Sequence, residues 1–135
     1  MKKNNRGFTL AELLIVVAIV AVLTAIAIPV FTTQLERSRE ATDLANIRSA
    51  YAEAMTDYIA DGTQDVTKTA TLKQQDAEWH IDHNLTTRID GEEGTITLGN
   101  VTVGGVATVK VAKPTSGSTK PTVTVTFGAA PAADP

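Results

Sequence analysis

The chain has 135 residues, with 12 Lys and Arg against 15 Asp and Glu, two His and no Cys. That length suits one domain and excludes a multidomain enzyme. The net charge of −3 gives no electrostatic reason to expect a nucleic-acid partner. The missing cysteines exclude disulfides, thiolate metal sites, iron–sulfur clusters and cysteine nucleophiles.

The composition is sharply partitioned. Of the 24 residues from Phe8 to Phe31, 20 are apolar, and Lys2, Lys3 and Arg6 all precede them. All 15 acidic residues follow position 7. Leu13 to Phe31 carries no charge over 19 residues, about 28 Å of helix at 1.5 Å per residue, which matches one bilayer core. The basic residues before it, against a balanced Glu36, Arg37, Arg39 and Glu40 after it, place the N-terminus in the cytoplasm by the positive-inside bias. A secretory signal peptide, cut at Ala25-Ile26-Ala27, and a plain signal anchor share this pattern. Neither accounts for Glu12, a carboxylate inside the apolar block that is costly in hydrocarbon unless protonated or paired. Pro29 cannot donate a hydrogen bond to the carbonyl of Ala25, so the helix is expected to kink or loosen there.

The run Arg6-Gly7-Phe8-Thr9-Leu10-Ala11-Glu12-Leu13-Leu14-Ile15, with Pro29 further on, resembles the N-terminal signature of type IV prepilins and the related pseudopilins. The resemblance covers roughly the first 60 residues. It implies a leader at 1–7, cleavage between Gly7 and Phe8 by a membrane-embedded prepilin peptidase, and N-methylation of the new Phe8 amine. It also implies that Glu12 meets the Phe8 amine of a neighbouring subunit during assembly. A buried carboxylate is tolerable when paired, so such a contact would reward correct axial register.

The implied protein is a structural subunit and not an enzyme. It is held in the cytoplasmic membrane as a single-pass precursor, then polymerised into a surface filament of identical copies by an assembly ATPase and a membrane platform protein. A pseudopilin of a type II secretion or competence machine would share every N-terminal feature. A signal-anchored or secreted monomeric binding domain is the reading from another class. The missing cysteine pair departs from the disulfide-bearing pilins.

The helix is expected to run from about Thr9 to Asp61, with a membrane or filament-core half at 8–31 and an amphipathic half at 32–61. Leu44, Ile47, Tyr51, Met55 and Tyr58 form its apolar face, while Glu36, Arg37, Glu40, Arg48, Glu53 and Asp57 occupy the others. Gly62 is the expected cap. A polar connecting region follows at 62–94, with Trp79, Ile81, Leu85 and Ile89 as its anchors to the core. In pilin-like proteins this region is variable and often exposed, which makes it the expected place of filament-specific contacts. The stretch 95–127, with nine Thr and seven Val, alternates in Thr95 to Leu98, Val101 to Val103, Val106 to Val111 and Thr122 to Phe127. It is expected to form an antiparallel meander of three or four strands, with a loop at Pro114 to Pro121. A flexible tail is expected at 128–135. The fold class is α+β, a long helix packed on a small antiparallel sheet.

No catalytic constellation, cofactor motif or metal site is expected. His80 and His83 are spaced as H-x-x-H, but two imidazoles without a further ligand bind metal weakly. Asp57, Asp61 and Asp65, like Asp90, Glu92 and Glu93, lack EF-hand spacing and read as solvated acidic turns.

Overall fold

The computed structural model describes residue 1 and residues 6–62 and 64–131. Lys2 and Lys3 of the expected leader and the last four residues of the expected tail lie outside the described residues. One helix, α1, runs Leu10–Asp61. The chain divides into two compact units, Met1–Leu35 and Glu36–Pro135.

In the first unit the helix is apolar on all faces. Every large apolar side chain from Phe8 to Leu35 is exposed, from 40% at Leu35 to 88% at Phe8. The helix is unbroken across Pro29. The hydroxyls of Thr32 and Thr33 each donate to the Pro29 carbonyl at 3.0 Å, and that of Thr24 donates to the Val20 carbonyl at 2.7 Å. The hydroxyls inside the apolar stretch are therefore satisfied by the helix's own backbone, as a low-dielectric surrounding demands.

In the second unit α1 buries Glu40, Asp43, Leu44, Ile47, Ala50 and Ala54. It ends as the spacing predicts. Gly62 adopts φ +66°, a left-handed conformation that glycine enters without strain, and its N–H donates to the Tyr58 carbonyl at 2.7 Å.

Among the described residues five strands follow: β1 Val66–Thr71, β2 Asn84–Ile89, β3 Glu92–Thr97, β4 Val106–Ala112 and β5 Thr122–Gly128. They make two antiparallel sheets, a three-stranded one in the order β1-β4-β5 and a β2-β3 hairpin. Val66 pairs with Val111, and Val106 with Gly128. The core joins Leu44, Ile47 and Ala50 of α1 to Leu72, Leu85, Leu98, Val101, Ala107 and Val109. Threonines of β5 stay exposed while Val123, Val125 and Phe127 pack against this core, the alternation expected of a sheet with one wet face.

The α+β class is as expected, but the strands are distributed differently. The single meander from Thr95 is replaced by two sheets, and two strands precede it within 62–94. β1 carries Val66, Lys68 and Ala70 on its inward face and threonines on the other, so its apolar alternation is weak. Val101 to Val103 forms no strand. Val101 is buried and its N–H donates to the Ala77 carbonyl, while Gly105 N–H turns back to the Thr102 carbonyl. Gly128, placed in the tail by composition, closes β5.

Asp90 and Gly91 both have positive φ, +52° and +81°, and join Ile89 directly to Glu92. This is the two-residue turn that Asp-Gly favours, because its twist matches that of the flanking strands.

Candidate functional site

The segment that carries the prepilin signature lies where α1 begins. Thr9 precedes the first helical residue and accepts the Glu12 N–H on its hydroxyl at 3.3 Å. The Glu12 carboxylate reaches back, its Oε2 accepting the Thr9 N–H at 2.8 Å and the Thr9 hydroxyl at 3.0 Å. This reciprocal arrangement is a capping box, which satisfies N–H groups at the helix start that have no intrahelical partner. The pattern T-x-x-E stands in the sequence, and its capping role is a signal that the reading from the prepilin signature alone overlooks.

Gly7 and Phe8 lie in non-helical backbone just outside this cap. Phe8 is 88% exposed, and a Cβ placed on Gly7 would meet nothing within 4 Å. The peptide bond between them is thus open and next to a helix start. Phe8 lies within the chain and offers an amide, and the Glu12 carboxylate is occupied by Thr9. Pro29 lies well along the same helix, away from this cap.

The two histidines do not form a metal pair. His80 Nδ1 lies 2.6 Å from Oε1 of Glu40, whereas His83 stacks on Trp79 at 5.6 Å between ring centroids and its Nδ1 lies 3.0 Å from the Ile81 carbonyl. Among the described residues there is no group of three or more metal-type side chains. Acidic residues of the two turns are paired with cations: Asp57 with Lys68 at 2.6 Å, Asp65 with Lys110 at 2.8 Å, Glu93 with Arg88 at 2.8 Å, and Glu92 with Lys120.

A second constellation is not visible from spacing alone. Glu36, Glu40 and Asp43 occupy successive turns of one helix face that continues into Ile47, and their carboxylates accept hydrogen bonds from backbone N–H groups within residues 73–80. Asp43 takes Lys73 N–H at 2.9 and 2.7 Å and Gln74 N–H at 2.8 Å. Glu36 takes the N–H groups of Gln75 and Asp76, and Glu40 that of His80 at 2.8 Å. Glu40 and Asp43 are fully buried, although the spacing places Glu40 off the apolar face of the helix. The reason is that the segment packed on this stripe presents amides in place of apolar side chains, and buried amides need acceptors.

A long, uncovered apolar helix leading into a small antiparallel β region is the α+β architecture of the pilin fold. Residues 2–28 match the model of the prokaryotic N-terminal methylation motif. The chain is 51% identical over 48 residues to the type IV major pilin protein PilA of Myxococcus xanthus, covering 36% of this chain and 22% of that protein. It is 36% identical over 89 residues to a fimbrial protein of Pseudomonas aeruginosa, covering 66% and 55% of the two chains. With the type IV major fimbrial protein FimA of Dichelobacter nodosus it shares 40% identity over 65 residues, covering 48% and 38%. The chain thus spans about half or less of the length of these relatives. No solved structure matches it. Residues 2–28 thus carry the prokaryotic N-terminal methylation motif, and the chain is similar over part of its length to type IV pilin and fimbrial proteins.

Proposed function

We propose that this chain is a structural subunit, the major pilin, of a bacterial type IV pilus. It is made as a single-pass prepilin with its N-terminus in the cytoplasm, cleaved between Gly7 and Phe8, N-methylated at Phe8 and polymerised into a surface filament. The observation that carries this reading is the row of exposed large apolar side chains from Phe8 to Leu35. A surface of that extent must be covered, by lipid before assembly and by the helices of neighbouring copies afterwards. Both surroundings are apolar, so packing and polar pairing decide the register more than transfer out of water does.

In this reading cleavage changes the partner of Glu12. The capping box with Thr9 holds the carboxylate satisfied in the precursor. The amine freed at Phe8 then supplies a charged partner on a neighbouring subunit. Pro29 leaves one backbone carbonyl without its helical donor and gives the helix a place to loosen as copies pack. The implied partners are further copies of the chain, the prepilin peptidase, a cytoplasmic assembly ATPase and a membrane platform protein. Filament-specific contacts would fall on residues 63–94.

The test is the N-terminal residue and intact mass of protein sheared from the cell surface. A methylated Phe8 start is expected, and a start at Ile28 would make the apolar block a discarded signal peptide and overturn the proposal. Processed protein that stays in the membrane with no sheared filament would point to a pseudopilin. Glu12→Ala is expected to abolish sheared filaments while the membrane pool still begins at Phe8.

A further inference from the structure

Residues 73–80 lie across α1 as a strap between β1 and β2. Its ends are fixed by packing, through Leu72, which is buried, and through Trp79 and Ile81, which pack against the core. Leu72 N–H also donates to the Gly105 carbonyl, and the Trp79 indole N–H to the Gly99 carbonyl, each at 3.0 Å. Toward the helix the strap is held by carboxylates: five backbone N–H groups and one imidazole nitrogen on Glu36, Glu40 and Asp43. One of these attachments contains a group that titrates near neutrality. His80 sits between two carboxylates, with Nδ1 2.6 Å from the buried Glu40 and Nε2 3.6 Å from Oδ2 of Asp76.

We propose that residues 75–80 form a pH-responsive strap, latched when the His80 ring bridges Glu40 and Asp76 and loosened at that end as the ring loses its second proton. The argument is one of donors and acceptors. An imidazolium donates from both nitrogens, and a neutral imidazole from one. Glu40 is fully buried and takes both the backbone N–H and the ring N–H of His80, so the proton on Nδ1 is the one retained. Deprotonation therefore strips Nε2 and turns its lone pair toward the Asp76 carboxylate. An attraction at 3.6 Å becomes a repulsion, at the point where Asp76 N–H also depends on Glu36.

The charged groups that act on the ring are Glu40 and Arg37 from α1 and Asp76 from the strap. The hydrogen bond to Glu40 holds the second proton on, aided by the charges of Glu40 and Asp76, while desolvation and Arg37 oppose it; the balance raises the pKa above the ordinary 6.5. Asp43, at the other end, keeps Lys73 and Gln74 in place throughout. The strap therefore opens from its His80 end.

The test uses the full chain in detergent micelles, followed by NMR of the His80 ring and of the strap amides between acid and mildly alkaline pH. The His80 midpoint is expected above 6.5, with the Asp76 and His80 amide signals shifting at the same midpoint and those of Lys73 and Gln74 unmoved. His80→Gln keeps a donor toward Glu40 without a titrating proton, so the step at Asp76 should be lost in it. Asp76→Asn, a change at a half-exposed side chain, should lower the ring midpoint. A midpoint at or below 6.5, an Asp76 amide that ignores the ring's titration, a step that survives in His80→Gln, or a ring midpoint unmoved in Asp76→Asn would each overturn the proposal.

Discussion

At the scale of single residues, Glu12, Glu36, Glu40 and Asp43 do much of the organising, each placed where backbone N–H groups need acceptors. Glu12 closes the start of α1 and Asp43 anchors the chain after β1, and the two differ in burial. Glu12 is exposed, so losing its capping bonds loosens only the first turn of the helix. Asp43 is fully buried, and its removal strands the N–H groups of Lys73 and Gln74 inside the protein. Asp43→Ala is therefore expected to destabilise the second unit by about 3 kcal/mol. Thermal unfolding followed by circular dichroism should show a fall in Tm on the order of 15 °C. Glu53→Ala, at an exposed position of the same helix, should change it little. Equal effects at the two positions would mean that the buried carboxylate is not what holds the strap.

At the scale of elements, β4 is the strand on which the three-stranded sheet depends, since it pairs on both sides and its Ala107, Val109 and Val111 are fully buried. Its entry is tight. A Cβ on Gly105 would collide with the carbonyl of Gly128, the last residue of β5. Gly105→Ala should force the two strands apart there at a cost of about 2 kcal/mol, seen as lost amide protection at Val106 and Gly128 before the rest of the sheet.

This contact also marks the limit of what the sequence discloses. The prepilin signature, the apolar helix and the cap at Gly62 are legible because their causes lie within a few residues of one another. β4 and β5 are legible because Val and Thr alternate in them. β1 is obscured by Lys68, which faces inward yet ends in an ion pair with Asp57. The row Glu36, Glu40 and Asp43 reads as a wet helix face because nothing local reveals that its partners lie 30 to 40 residues further on.

At the scale of the whole molecule, the buried core and the long exposed apolar stretch belong to different units: all core residues lie from Leu44 onward, and every large apolar side chain before Glu36 among the described residues is exposed. The thermal stability of residues 36–135 should therefore depend on pH through their own ion pairs and strap, with or without the first 35 residues. Three carboxyls there are held below their ordinary range. For Glu36, burial pushes upward but is outweighed by the N–H groups of Asp76 and Gln75 and by Arg39; for Asp65 the causes are the Lys110 hydrogen bond and the Lys113 N–H, and for Glu92 the Lys120 hydrogen bond.

A lowered carboxyl stabilises the fold above its ordinary value, near 4.5 for Glu36 and Glu92 and 3.8 for Asp65, and ceases to as pH falls through the lowered one. His80 has the opposite sign. Its contribution is complete below 6.5 and is lost as pH rises through the raised value set chiefly by Glu40. The melting temperature of residues 36–135 should accordingly be highest between about pH 4.5 and 6.5 and decline on both sides. His80→Gln should flatten the decline above neutrality and leave the acid decline intact. A profile that keeps rising through pH 8 would show that the His80 latch contributes nothing to holding the fold.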